Sequence, residues 1–411
     1  MKERIVITGM GTVNPLGLSV SETWNNIING VSGIGPIYCF DSTSLRVKIA
    51  CEIKGFNPEL YMSAKEVRRR DRVEQLAAAG AKQAIQQSGI LETEIDPSRI
   101  SVIISSAVGG INTLQDTFRI IEEQGANRVR AFAIPMLMTN GLTGIVAIGY
   151  GFQGPCFSIG SACASGIDAI CLAWILLKNK IIDVAVTGAT ESTVLEVAVA
   201  IFDKVGALSR RNEDYSCTPQ PYDLNRDGLV IGEGSGVIVM ESENHAKKRG
   251  AQILAEIAGY AASSDTSHIT APRDDGGGGI MAIKNAIKAA SIGTNQIDYI
   301  DAHGTGIVLN DVFETKAIKT AIGEIAYNIP VSSTKSMTGY LMGATGALET
   351  ILCVKSIQDC IIPPTTNYQT ADPECDLDYV PNIAREKLVN VVLNNAFGFG
   401  GHNAVLVICR Y

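Results

Sequence analysis

The chain repeats itself, and that repetition limits its possible folds more than any single motif does. Residues 79–90, Ala-Gly-Ala-Lys-Gln-Ala-Ile-Gln-Gln-Ser-Gly-Ile, lead into an apolar strand at Ile100–Ser105, and residues 282–292 lead likewise into Ile297–Ala302. Phe157–Gly160, a turn of Ala, Ser and Gly, and a helix ending at Lys180-Ile-Ile match Pro330–Ser333, a second small-residue turn and a helix ending at Cys360-Ile-Ile. A strand at Asp183–Thr187 matches Leu388–Leu393, and Gly236–Met240 matches Ala404–Ile408. The two Ile-Ile pairs lie 180 residues apart. Strand and helix alternate in each copy, so each copy is expected to form a mostly parallel sheet covered by helices. The helices after the two small-residue turns are apolar on almost every side, which predicts that they pack on each other between the sheets. The expected fold is α/β, with duplicated βαβαβαββ halves in a layered α-β-α-β-α sandwich. The halves are 1–250 and 251–411. Residues 106–150 are an insertion in the first copy only, lining a substrate tunnel or a dimer interface.

The first copy's turn is Ser161-Ala-Cys163-Ala-Ser-Gly. A thiol where a strand hands over to a helix has the positive helix end to lower its pKa. Free backbone N–H groups there can hold a developing oxyanion. Cys163 is therefore a candidate nucleophile, the alternative being a buried structural cysteine. The ten cysteines form no CxxC pair and there are only four histidines, so no zinc-ligand spacing arises and no metal is expected. Scattered thiols fit a reducing cytoplasm. A net charge of −8 argues against nucleic-acid binding. The start Met1-Lys-Glu-Arg leads directly into a strand at residues 4–9, with no signal-like apolar region, and the longest apolar run is too short to span a membrane. The Gly-rich Met10–Gly17 lacks phosphate-loop spacing and reads as a strand-to-helix turn, with Ser21 capping the helix.

Three more loops belong with Cys163 if corresponding strands converge: Asp301-Ala-His303-Gly-Thr305-Gly, Ser332–Tyr340 containing Lys335, and Asn395–Asn403. His303 at a strand end is a candidate acid, base or electrophile, although a lone histidine is also often structural. Thr305 offers a hydroxyl to a polar substrate arm. Lys335 needs a carboxylate, and Glu349 is available; a structural ion pair is the alternative to a catalytic task. Gly398, Gly400 and Gly401 would let Phe399 swing like a gate. Lys65, Arg68, Arg69, Arg70 and Arg72 fall in one presumed helical stretch, either a solvated face or a docking patch for an acidic partner that Arg128 and Arg210 could extend.

These segments resemble the condensing enzymes of the thiolase fold, specifically the β-ketoacyl-acyl-carrier-protein synthase II family. The resemblance runs from end to end through Ser161-Ala-Cys163-Ala-Ser-Gly, Asn225-Arg-Asp-Gly228, Gly232-Glu-Gly, Ala302-His-Gly-Thr-Gly, Ser333-Thr-Lys-Ser-Met-Thr-Gly339 and Asn395–Asn403. It implies a ping-pong reaction. Cys163 would take an acyl chain from a phosphopantetheine thioester, and malonyl-carrier protein would then lose CO₂ and attack it. His303 would polarise the malonyl thioester, and the N–H groups of Cys163 and Phe399 would form the oxyanion hole. Lys335 and Glu349 would be the supporting pair. Thr305 and Thr270 would meet the pantetheine, with His268 in a loop near the site. Lys65, Arg68, Arg69, Arg72, Arg128 and Arg210 would dock acyl carrier protein. The resemblance also implies a homodimer, or a heterodimer with another synthase, and no cofactor bound by the chain itself.

The sequence departs from the family pattern inside the site. Tyr340 stands where the family has a second catalytic histidine, Ile307-Val308 replaces Thr-Pro, and His402 stands where threonine is usual. Losing one oxyanion donor costs about 10²–10³ in rate unless another group substitutes, and His402 is a candidate substitute. Three functions remain open: a divergent elongating synthase, an acyl transferase or hydrolase that does not condense, and a chain-length-factor-like partner subunit.

Overall fold

The computed structural model describes residues 3–273 and 275–411; Met1 and Lys2, at the head of the expected strand-leading segment, lie outside the described residues. Ten strands form the main sheet: β1 (Ile5–Val13), β2 (Ile100–Ser105), β3 (Cys156–Phe157), β4 (Val184–Ser192), β5 (Glu233–Ser242), β6 (Ala255–Ser264), β7 (Tyr299–Asp301), β8 (Val331–Ser332), β9 (Val391–Gly398) and β10 (His402–Cys409). Their order is β8-β7-β9-β10-β6-β1-β5-β4-β2-β3. Read outward from the β6–β1 junction, both halves run first, fifth, fourth, second and third strand of their copy. The duplication seen in the sequence is thus a pseudo-twofold in the sheet.

Two expectations about the sheet are corrected. The halves are not separate, because β1 and β6 pair antiparallel through Ile5, Val6 and Ile7. Nor are they mostly parallel: β4–β2 and β2–β3 are parallel, while β1–β5 and β4–β5 are antiparallel. In the second copy β9 and β10 are joined by a three-residue turn and so pair antiparallel, and in the first the longer connection between β4 and β5 also returns the chain antiparallel.

The layers follow from where apolar side chains go. The main helices are α1 (Val20–Ile28), α2 (Arg72–Ser88), α3 (Ile111–Gln124), α4 (Gly141–Tyr150), α5 (Ser165–Lys178), α6 (Glu196–Val205), α7 (Gly277–Ala290), α8 (Val308–Ile322) and α9 (Thr345–Asp359). The elbow helices α5 and α9 sit in one central core with Ile103, Ala189 and Met240 of the first half and Val392, Ala396 and Leu406 of the second. Helix α2 covers the outer face of the first half and α7 with α8 that of the second. This is the α-β-α-β-α sandwich. The elbow helices cross so closely that a Cβ at Gly166 would stand 2.8 Å from the Gly343 carbonyl oxygen and 2.9 Å from the Ala347 nitrogen. Burial of α5 is less complete than its sequence suggests, since Ile175 is exposed.

Local signals were displaced by a few residues. Strand β1 continues through Val13, four residues past its expected end at Gly9, because its ladder with β5 continues to Ser235. The cap of α1 is Ser19, whose hydroxyl accepts from Glu22 N, rather than Ser21, which lies inside the first turn. The cationic stretch is not one helix: a four-residue turn of helix, Ala64–Val67, stops, and Asp71 caps α2 in a box with Glu74.

Two outcomes test this packing. Gly166→Ala should lower stability by about 1–3 kcal/mol in denaturant melts, since neither facing group is a movable side chain. Glu74 is buried, which pushes its carboxyl from 4.5 up to about 7. Its contribution is therefore fully present below the unfolded value and lost as pH rises through about 7. Melting temperatures of Glu74→Gln should gain on the parent protein between about pH 5 and pH 8; parallel curves would refute this.

Candidate active site

Cys163 lies in the single turn Ala162–Ala164 that starts α5, and Ala162 before it takes a left-handed φ of 49°. That conformation turns the thiol out of the elbow into a cavity of about 450 Å³. The cavity is also lined by Thr270, His303, Thr305, Tyr340, Gly398 and Phe399. The structure thus brings to Cys163 residues 107 to 236 positions away in the chain. Gly398 is required by space, since a Cβ there would stand 3.0 Å from Cys163 N and 3.1 Å from Cys163 Cβ. The next residue, Phe399, carries a backbone N–H close enough to the Cys163 sulfur to favour its thiolate. Gly400 and Gly401, at φ 81° and 73°, make the tight turn behind it.

The charges around the thiol differ from the sequence expectation. Burial pushes the Cys163 thiol above its usual value, with the Tyr340 hydroxyl and the Phe399 N–H favouring the thiolate and Glu191 opposing it. Desolvation therefore outweighs any lowering at the helix start. The Tyr340 hydroxyl is buried and makes no hydrogen bond of good geometry, yet lies close enough to the sulfur to stabilise its negative form. Burial and then the Cys163 charge raise its own pKa, so it remains a neutral donor. His303 is 3% exposed and packs edge-on to Tyr340 with centroids 5.7 Å apart. Burial, reinforced by Lys335, holds the imidazole well below its usual pKa and hence neutral. A neutral imidazole can accept or donate one proton, as its tautomer dictates.

Lys335 Nζ donates to Glu349 Oε1 at 2.6 Å and to the Ala302 carbonyl at 3.0 Å. The pair lies behind His303, outside the cavity lining. Burial pushes Glu349 up to about 7 against the pull of Lys335. Three further sequence candidates also fall outside the lining. His402 is exposed at the start of β10, so it does not substitute for a donor at Tyr340. His268 is exposed and accepts from Thr270 N and Ala271 N, ordering the loop that carries Thr270. Gly400 shapes the turn without lining the cavity.

Glu314, Asp311 and Tyr222 were missed by sequence reasoning. Glu314 accepts from His303 N at 2.8 Å, Gly304 N at 2.7 Å, the Tyr222 hydroxyl and the Asn395 amide. Asp311 accepts from Thr305 N and Tyr222 N. Together they fix the loop carrying His303. The available signal was two acids three positions apart in α8, on the side that also carries Phe313, Ala317 and Ile318.

The docking candidates divide. Arg72 is tied to Glu233 by two 2.6 Å bonds and acts as a structural ion pair. Arg210 pairs with Asp203, and Arg69 stacks over Phe132, joining the Ala64–Val67 turn to the insertion. Lys65, Arg68 and Arg128 are exposed and form no ion pair among the described residues. No metal-binding cluster occurs among the described residues, and none of their helices is long and apolar enough to cross a membrane.

A cavity thiol beside a neutral histidine in a duplicated α/β frame is suited to carrying an acyl group. Residues 2–246 match the β-ketoacyl synthase N-terminal domain and 254–369 the C-terminal domain. The chain belongs to the β-ketoacyl synthase family. It is 41% identical over 410 residues to 3-oxoacyl-[acyl-carrier-protein] synthase 2 of Synechocystis sp., covering 100% of this chain and 99% of that one. It is 42% identical over 409 residues to the Staphylococcus aureus protein of the same name, with the same coverage. Among solved structures it superposes on the ishigamide ketosynthase/chain length factor with a TM-score of 0.94, 31% identity and full coverage of both chains. A type II polyketide ketosynthase in complex with its acyl-carrier protein gives 0.91, also with 31% identity and full coverage of both.

Removing one member of the buried ion pair should cost about 3–5 kcal/mol, because the other charge is left uncompensated. Lys335→Met should therefore lower stability sharply in urea melts. Lys335→Met with Glu349→Leu should recover much of the loss; no recovery would show the two do not act as a pair.

Proposed function

We propose that the protein is a 3-oxoacyl-[acyl-carrier-protein] synthase of fatty-acid or specialised lipid or polyketide synthesis. Its substrates arrive on the phosphopantetheine arm of acyl carrier protein. The carrying observation is the placement of the Cys163 thiol against the Phe399 N–H, beside neutral His303, in one cavity. Cys163 attacks the acyl thioester, and the N–H groups of Cys163 and Phe399 hold the oxyanion. The carrier thiol leaves with a proton. In the second half-reaction malonyl-carrier protein loses CO₂. His303 and the Tyr340 hydroxyl donate to the enolate oxygen, and its carbon attacks the acyl-enzyme to release a 3-oxoacyl thioester and free Cys163. Lys335 and Glu349 hold the His303 region. Thr305 and Thr270 line the entrance and meet the pantetheine arm.

Lys65, Arg68 and Arg128 form the strongest part of a surface for acidic carrier protein, with Arg69 and Arg210 contributing through partly engaged side chains. Phe118, Ile134 and Phe157, all exposed on or next to the insertion, suit the subunit contact of a homodimer. All ten cysteines are free, in keeping with the cytoplasm. Residues 1–250 and 251–411 are the two duplicated halves.

Tyr340 supports a second reading, acyl transfer without condensation, because a single phenol replaces the second imidazole expected from family resemblance. Acyl-carrier protein followed by malonyl-carrier protein distinguishes the two. Mass spectrometry should show an acyl adduct on Cys163, then CO₂ release and a product longer by two carbons. An adduct that never elongates would leave only the transferase. Cys163→Ala should show no adduct. Tyr340→Phe should slow elongation by about 10²–10³ while sparing the first step.

A further inference from the structure

The two copies are alike enough for each elbow residue to have a counterpart. Cys163 corresponds to Gly343, because Ala162 and Met342 before them share a left-handed backbone at φ 49° and 46°. Lys180 and Cys360 beyond the two helices do the same, at 58° and 56°. Strand register supplies the second correspondence. Ala189 pairs with Gly236 as Ala396 pairs with Ala404, so Glu191 stands where the second copy has Gly398.

The occupancy of these two places is exchanged. Beside Cys163 the strand residue is glycine, and the space belongs to the thiol. Beside Gly343 the elbow residue is glycine, and the space belongs to the Glu191 carboxylate: a Cβ on Gly343 would stand 3.1 Å from its Oε2 and 2.8 Å from Ala107 N. Glu191 is fully buried and accepts from Ser106 Oγ at 2.5 Å, Ala107 N at 2.8 Å and Gly343 N at 3.2 Å. The Gly343 N–H is the counterpart of the Cys163 N–H. One faces the cavity, and the other is closed by the Glu191 carboxyl, which burial pushes from 4.5 up to about 7. Ala107, the adjoining Val108, and Met342 all line the cavity beside Cys163.

We propose that Glu191 is a positioning residue whose carboxylate fills the non-catalytic elbow, fixes the Ala107–Val108 and Met342 walls, and so sets which acyl chains Cys163 accepts. This rests on the acyl-transfer reading above. A carboxyl with no ion-pair partner among the described residues is costly to bury in its charged form, and no step of the reaction uses it. Holding two walls from different copies in one arrangement accounts for its presence.

The test compares the parent protein, Glu191→Gln and Glu191→Ala. Loading of Cys163 from acyl-carrier proteins bearing six-, ten- and fourteen-carbon chains is read as kcat/KM by mass spectrometry. Glu191→Ala should change the ratio between the longest and shortest chains by about tenfold, the scale of pocket discrimination. Glu191→Gln keeps an acceptor for the two N–H donors and should retain most of the parental profile. Its lost charge should move the pH inflection of Cys163 alkylation by iodoacetamide downward, because ionised Glu191 disfavours the thiolate. That readout needs no acyl substrate, so it decides the outcome even if Glu191→Ala does not fold. An unchanged chain-length ratio in Glu191→Ala, or an unmoved inflection in Glu191→Gln, would overturn the assignment. Failure of the parent protein to load any acyl chain would instead sink the acyl-transfer reading, with the alkylation result still standing.

Discussion

The close crossing of the two elbow helices is the contact on which the rest of the structure depends. Gly166 meets the Gly343 carbonyl and the Ala347 nitrogen, and Gly346 meets Ile167, at distances that leave no room for side chains. Interiors are close-packed and respond to even one added methyl group, so this crossing fixes the separation of the two halves. The turn leading into α5 carries the nucleophile, and the turn leading into α9 begins at Met342, two residues after Tyr340. Wherever the helices cross, the site is set.

Duplication then supplies two elbows with one task between them. The copies keep the same backbone turn and differ in which partner is glycine. In one, Gly398 yields to Cys163; in the other, Gly343 yields to Glu191. An oxyanion needs N–H groups that are free until substrate arrives, whereas a permanently paired elbow is rigid. The asymmetry separates reaction from support. The same division recurs behind His303, where Glu314 and Asp311 hold the loop backbone and leave the imidazole facing the cavity.

Burial governs the chemistry more than charge does. It raises the Cys163 thiol, keeps Tyr340 a phenol and keeps His303 neutral. Charged groups in the cavity would have to be desolvated again with each substrate, while neutral donors aimed at a developing oxyanion strengthen as charge appears. The buried cation Lys335 is neutralised by Glu349 and set behind the histidine.

The sequence by itself determined the duplication, the elbow helices and the four loops of the site, because each rests on local signals: strand-to-helix turns, glycines and apolar runs repeated at a fixed distance. It also carried Cys163, His303, Thr305 and Phe399. Only the tertiary structure decided which polar groups face one another. His402 follows the glycine turn in sequence, yet strand β10 carries it to the surface. Arg72 belongs to a basic run, yet Glu233, 161 residues away, claims it. The joining of the halves through β1 and β6, and the place of Glu191 opposite Gly343, depend on contacts between residues hundreds or scores of positions apart. Periodicity reports which face of an element is buried; it does not report what lies on the other side of that face.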